Sequence, residues 1–380
     1  MNEAAKPPSP NVKRIASVDG AREPEKNDPF RLRMSDGFRA LLERLDATIA
    51  LTTYEAGKIV ALGPKPQSGF NVTERNFDRA MALLAEGSTL YLSTLHQIWR
   101  FENAIKPETF FQGHDRLYLP RSCHFTGAVD VHDVHRNAEG RTFACVTLYN
   151  CIAEIDWQGS FNPLWRPPFV TAMAAGDRCH VNGFCLIDGA PRYATLIAET
   201  DVAGAWREKR ADGGAVYDLC TDKPVVRGLA MPHSPRWARS RLWLAEAGSG
   251  WFGSIDPQAG KFERLLWMPG FLRGVRIFGD LAFVGLSKPR NLLFSGLPLD
   301  DELKRRGEEP VCGVNVVDLK AGKVVETIRI DGSVKEIYDI ALLNGCRRPL
   351  IIGVQGEDVR RLVALGPDRT GGAPAAERLQ

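Results

Sequence analysis

Between Ala47 and Val354 the chain alternates apolar runs of roughly four to eight residues with short glycine-, asparagine- and aspartate-bearing breaks. The runs are β-branched or aromatic, as in Leu90-Tyr91-Leu92, Phe143-Ala144-Cys145-Val146 and Leu242-Trp243-Leu244. That length and composition predicts strands. Asp188-Gly189 splits Cys185-Leu186-Ile187 from Tyr193-Ala194-Thr195-Leu196, and Gly279-Asp280 splits Val275-Arg276-Ile277-Phe278 from Leu281-Ala282-Phe283-Val284. Both read as hairpins, because these residues tolerate the backbone angles of a tight reversal. Another strand often ends in an Asp-x-x-x-Gly turn, at Asp256 to Gly260 and Asp318 to Gly322, before a hydrophobic return strand. Phe38 to Leu45 has apolar residues at helical spacing and predicts one short helix.

Four strands per unit, repeated about every 40–50 residues, predict an all-β fold, a six-bladed β-propeller. The blades begin near Phe77, Val129, Cys179, Met231, Phe271 and Val334. The last unit offers two inner strands, Ile337 to Leu343 and Leu350 to Val354, and then runs out. Its outer strands are expected from the other end of the chain, at Ala47 to Thr53 and Lys58 to Leu62. Such a closure removes exposed sheet edges. Segments 203–214 and 290–310 interrupt the pattern and are expected to lie as loops over a face of the disc. Residues 1–30 and 366–380, rich in proline, glycine and charge, read as a disordered arm and tail. That leaves 31–365 as a single propeller domain.

Composition narrows the functional classes. The 380 residues carry 49 basic and 46 acidic side chains, a net charge of +3. This balance predicts no general attraction to nucleic acid or to an anionic membrane. No run approaches the roughly twenty apolar residues of a membrane helix, and Met1 to Pro8 lacks the apolar core of a secretory signal. The eight cysteines form no CxxC pair. Several sit inside strand-like runs, where a free thiol behaves as a small hydrophobe. A reduced, cytoplasmic protein is the expectation.

Six segments carry candidate chemistry, each leading into an inner strand: Asp78-Arg79, Val131-His132-Asp133, Cys179-His180-Val181, Pro232-His233-Ser234, Leu272-Arg273-Gly274 and Lys335-Glu336-Ile337. In a radial array, equivalent positions converge on the axis. His132, His180 and His233 would then form a first shell for a divalent transition metal, Fe, Mn, Cu or Zn. Glu336 would be a fourth ligand, an orienting partner or a general base. Asp133 and Asn182, each beside a histidine, are candidates to orient those rings. Arg79 and Arg273 would offer planar forks to a carboxylate or phosphate. Together these predict a metal-dependent enzyme acting on a carboxylate-bearing small molecule or peptide, with oxygenase or oxidase chemistry ahead of hydrolase or lyase. A non-enzymatic propeller presenting a ligand- or protein-binding face is the alternative. His96, His124 and His135 read as surface or loop histidines, and Trp206-Arg207-Glu208 as an insertion able to form part of a lid.

Several longer segments carry a family resemblance: Asp177-Arg178-Cys179-His180-Val181-Asn182-Gly183, Gly228 to Arg236, Pro269 to Gly274, Phe283 to Lys288 and Cys312-Gly313-Val314. From about Asp46 to Val354 the chain resembles the bacterial family TIGR03032, also called DUF4915. That family was defined by sequence and implies no particular activity. The histidine ring also looks like the metal centre of carotenoid-oxygenase-type propellers, although those use four histidines on seven blades. Six-bladed lactonases are a second analogy, but they favour oxygen ligands over imidazole.

Overall fold

The computed structural model describes residues 31–156, 158–289 and 296–365. The expected N-terminal arm and C-terminal tail lie outside the described residues. Six sheets of four or five strands make a six-bladed β-propeller. The inner strands are Leu83–Glu86, Val131–Arg136, Val181–Ile187, Pro232–Ala238, Phe271–Phe278 and Ile340–Asn344, for blades one to six, and neighbours contact each other around the ring.

The turn chemistry explains the meander. Asp188 and Gly189 both take positive φ, 52° and 77°, the pairing that matches strand twist in a two-residue hairpin. The Asp256 side chain accepts the Gln258 and Ala259 N–H groups at 2.9 and 3.4 Å, closing the turn on itself. Asp318 does the same with Lys320 and Ala321, at 2.8 and 2.9 Å. Each aspartate thereby adds its carboxylate to the backbone bond that its own carbonyl accepts from Gly260 or Gly322, at 3.0 and 2.9 Å.

Closure differs in detail from the expectation. Blade six takes one strand from the C-terminal side, Ile340–Asn344, and three from the N-terminal side, Ala47–Thr53, Lys58–Pro64 and Phe70–Asn76. Ile340 stands opposite Leu51, and Asn344 opposite Ala47. The next apolar run, Pro349–Ile351, leaves the blade and pairs in parallel with Arg116–Phe125 of blade one. The cause is Asp115, whose carboxylate accepts the Arg347 and Arg348 N–H groups at 2.9 and 2.8 Å and turns the chain outward. At the other end, Arg31–Met34 covers the outer edge of blade five, along Lys323–Asp331. Two sheet edges are thus protected by the two ends of the described chain.

The blades are sealed by apolar layers between neighbouring sheets. Leu84, Tyr91 and Ile98 of blade one meet Val131, Val134 and Val146 of blade two, for example. The expected helix is present as α1 (Phe38–Arg44), with Phe38, Leu41 and Leu42 buried. The second insertion is not only loop: Pro298–Arg306 forms helix α2, started by Pro298 and ended by Gly307 at φ 65°. Leu299 and Leu303 of α2 join Trp206 of the first insertion in one cluster with Met231, Trp267 and Phe271. Both insertions therefore pack onto the same part of the disc, over blades three to five.

Candidate functional site

Three inner strands are entered through a residue in the left-handed region: Asp130 (φ 62°), His180 (φ 53°) and Met231 (φ 47°). Counted from that turn, His132, Asn182 and His233 are the equivalent residues, each second after it. His180 occupies the turn itself. The three histidines are therefore not at one repeat position, as the spacing had suggested. His132, Asn182 and His233 are buried in the channel, whereas the His180 side chain keeps 12 % of its surface exposed. His180 thus belongs to the channel mouth, and Trp206 of the insertion stacks on it with ring centroids 4.2 Å apart.

Hydrogen bonds fix the tautomer of all three rings. Thr147 donates its hydroxyl proton to the Val181 carbonyl at 2.6 Å, so its oxygen receives the His132 Nδ1–H at 2.8 Å. The Asp130 carbonyl shares that same donor at 3.1 Å. His180 Nδ1–H donates to the Asp177 carboxylate at 2.9 and 3.0 Å, and Trp206 Nε1–H holds that carboxylate from the other side at 2.9 Å. His233 Nδ1–H donates to the Met231 carbonyl at 2.9 Å. In the neutral form of a ring held this way the lone pair lies on Nε2. Burial lowers the His132 pKa to about 4 and that of His233 well below its ordinary value, with Arg273 adding to both. Asp177 is held below the usual carboxylate range: burial opposes this, but His180 and the Trp206 N–H outweigh it.

The rings are not all together. His132 and His180 stand edge to face with centroids 4.9 Å apart. His233 packs against Phe271, and its Nε2 receives the Asn182 amide at 3.4 Å. Thr195 donates to Asn182 Oδ1 at 2.6 Å and fixes that amide's orientation. Among the described residues, no three His, Cys, Asp or Glu side chains are already gathered around one point as a metal ion requires.

A layered arrangement crosses the mouth beside them. The Arg273 guanidinium carbon lies 3.6 Å above the Tyr338 ring, Tyr338 stacks on Tyr54 at 5.9 Å, and Arg79 covers Tyr54 at 5.4 Å. The two arginines expected in the ring are therefore present, Arg79 exposed and Arg273 half-buried. His132, Asn182, His233, Arg273 and Tyr338 line a cavity of about 10 Å³, room for about one water molecule. A surface cleft of about 460 Å³ near Gly57, Phe77 and Trp99 is larger, but Asp78 is the single charged side chain lining it.

Further along the strands the channel is filled by ions. Arg236 donates to Asp133 at 2.8 Å and lies 3.9 Å from Asp339. His135 Nε2 is 3.3 Å from Asp133, which corrects its reading as a surface histidine. Asp133 serves this network rather than His132: burial raises its pKa, but Arg236 and His135 together bring it well below normal. Burial pushes Asp339 the other way, up to about 6, with Asp133 contributing and Arg236 opposing. Glu336 is buried just before the blade-six inner strand, and its carboxylate accepts the Glu55 N–H at 2.6 Å.

Tyr338, Arg236, Asp339 and Asp177 were missed in the sequence. Asp177 alone gave a usable signal, an acidic residue three positions before a histidine. Close packing behind the site gives a direct test. A methyl group on Gly285 would sit 2.2 Å from the Arg273 carbonyl oxygen and 2.9 Å from the Ile337 side chain. Gly285→Ala is expected to cost about 1–3 kcal/mol, read as a lower denaturant midpoint. An unchanged midpoint would show that the Arg273 backbone is free to move.

A family model, "Domain of unknown function (DUF4915)", matches residues 36–352. No curated protein matches the chain. Among solved structures, a chain from a crystal structure of a nidogen/laminin complex is similar at 13 % identity and TM-score 0.49, covering 78 % of this chain and 98 % of that one. Among the described residues no helix is long and apolar enough to cross a membrane. With the family model spanning all six blades, the chain belongs to the DUF4915 family.

Proposed function

We propose that the protein is a metal-dependent enzyme whose reacting centre is the histidine end of the propeller channel. The observation that carries this reading is the common state of three imidazoles: each Nδ1–H is donated to a protein oxygen. Among the described residues, Nε2 is bare at His132 and His180 and held only by the Asn182 amide at His233. Metal-binding histidines are held in this way, by an acceptor on the far nitrogen. Rings 4.9 Å apart, as His132 and His180 are, have room to share one ion at about 2.1 Å from each nitrogen. His233 completes the set if it gives up the Asn182 amide, its longest hydrogen bond at 3.4 Å. Glu336 stays a candidate fourth ligand or base, reached by releasing the Glu55 N–H.

A divalent transition metal held there would supply activation of oxygen or water, and we place oxygenase or oxidase chemistry ahead of hydrolase or lyase. The substrate is a carboxylate-bearing small molecule or peptide end, drawn by Arg273 and by Arg79 at the exposed mouth. The cavity beside the rings holds about one water, so only the reacting group enters the channel. All eight cysteines are free thiols, which supports a reducing, cytoplasmic setting.

Asp177 tests the tautomer argument. Asp177→Ala is expected to weaken metal affinity about 10–100-fold, measured by competition with a chromophoric chelator. Affinity equal to wild type would remove the support that the Asp177–His180 pair gives. A second reading, a ligand-binding propeller without metal, is favoured by one observation: Arg273 is a cation close enough to disfavour charge on His132 and His233. It predicts a chain free of stoichiometric metal that retains anion binding.

A further inference from the structure

Two side chains at the small cavity have unmet polar capacity. The Tyr338 hydroxyl is buried and, among the described residues, has no hydrogen-bond partner. A buried hydroxyl left unpaired is costly, so such a group persists where something else binds it. Arg273 is the other. Its guanidinium covers the Tyr338 ring at 3.6 Å, and among the described residues it has no hydrogen bond or ion pair. Its N–H donors are thus uncommitted at the same cavity.

Asp133, Asp339 and Ser234 also line the cavity. Asp133 is held by Arg236 and His135, and Asp339 accepts the Leu83 and Ile340 N–H groups at 2.9 and 2.8 Å. Ser234 Oγ accepts the Gly274 N–H at 3.1 Å. Asn182 gives its amide to the Pro232 carbonyl at 3.1 Å and to His233, and takes the Thr195 proton. Arg236 is committed to Asp133, the Val275 carbonyl and the Pro235 carbonyl. Tyr338, whose hydroxyl has no partner, and Arg273, whose guanidinium has none, therefore line the same space of about 10 Å³, with the Ser234 hydroxyl beside them. That donor set is complementary to an anionic oxygen: the guanidinium supplies charge and the phenol a single directed hydrogen bond.

We propose that Tyr338 and Arg273 form an oxyanion subsite, in which the Tyr338 hydroxyl donates to one oxygen of a small carboxylate and Arg273 neutralises it. The subsite deepens the functional reading above by assigning the substrate's anionic end to two named residues. Tyr338 donates a hydrogen bond and transfers no proton, so the subsite works with or without a metal nearby. Arg79, two layers away beyond Tyr54, attracts the anion to the mouth without touching it.

The test uses formate as the probe and the full chain treated with chelator, titrated calorimetrically at constant ionic strength. Wild type is expected to bind formate saturably, and Tyr338→Phe to bind it about tenfold more weakly or worse. Arg273→Gln is expected to lose binding. The ligand-free Tyr338→Phe protein should melt at the wild-type temperature or above it, because the change removes an unpartnered hydroxyl and keeps the ring under Arg273. A purely structural role for Tyr338 would instead lower the melting temperature and leave formate affinity alone. Formate binding in Tyr338→Phe as tight as in wild type overturns the proposal. So does the absence of saturable binding to wild type, whether chelator-treated or loaded with zinc. A chain that binds no metal but loses formate on Tyr338→Phe sinks the metal reading and leaves this subsite standing.

Discussion

Replacing Arg236 with methionine is expected to destabilise the propeller by about 3–5 kcal/mol, the largest single-residue effect anticipated in the channel. The Arg236 side chain is only 13 % exposed and holds three different acceptors. It donates to Asp133 at 2.8 Å, to the Val275 carbonyl at 3.0 Å and to the Pro235 carbonyl at 2.9 Å. Methionine retains much of the apolar stem, so the loss reports the charge rather than the packing. What remains after the change is the reason for the size: two carboxylates, Asp133 and Asp339, are left in the channel without the cation between them. The double variant Arg236→Met/Asp133→Asn is expected to recover part of the loss, because it removes one stranded charge. Urea unfolding measures both, and a double variant no more stable than the single one would contradict this account.

The same network fixes a pH dependence. Asp339 is pushed up to about 6, against about 3.9 for an unfolded aspartate. The folded state therefore holds that proton more tightly than the unfolded state, and ionisation of Asp339 costs stability. The cost is absent below about pH 4, grows between about pH 4 and 6, and is complete above that window. Asp339→Asn removes it. The stability of this variant relative to wild type should rise across the window, and a difference independent of pH would contradict the shift.

The second large effect concerns the histidine pair. His132→Ala and His180→Ala are each expected to reduce transition-metal affinity by more than the roughly 10–100-fold anticipated for an outer partner such as Asp177. Each change deletes a nitrogen that would bind directly. His180→Ala is the cleaner of the two, since His180 stands at the mouth and is partly exposed, whereas His132 is buried. His233→Ala should cost less affinity, because its Nε2 faces the Asn182 amide rather than the other rings. Chelator competition on refolded, untagged protein gives the order. A ranking in which His233→Ala is the most damaging would place the metal on the other side of the channel.

The architecture was legible because each blade is encoded locally. Asp256 and Asp318 form their turns with their own neighbours, and Asp188-Gly189 needs no distant partner to reverse the chain. Closure was harder to read. An apolar run such as Pro349–Ile351 states that it will be a strand but not which sheet it joins, and Asp115, more than two hundred residues earlier, makes that choice. The ring of candidates was legible to within two residues. Repeat spacing placed His132, His180 and His233 near one end of the channel, yet φ at His180 shifts it out to the mouth. The buried partners lay beyond reach for another reason. Arg236 and Asp339 sit within ordinary strand and loop text, and their importance comes from meeting Asp133 across the channel.

The central claim is that the histidine end of the channel holds a metal. Elemental analysis of full-length protein, purified without a polyhistidine tag and without added metal, tests it most directly. The account predicts close to one transition-metal ion per chain in wild type, lost in His180→Ala while the fold, judged by its unfolding transition, persists. Wild-type protein free of transition metal, or His180→Ala carrying as much as wild type, would contradict it.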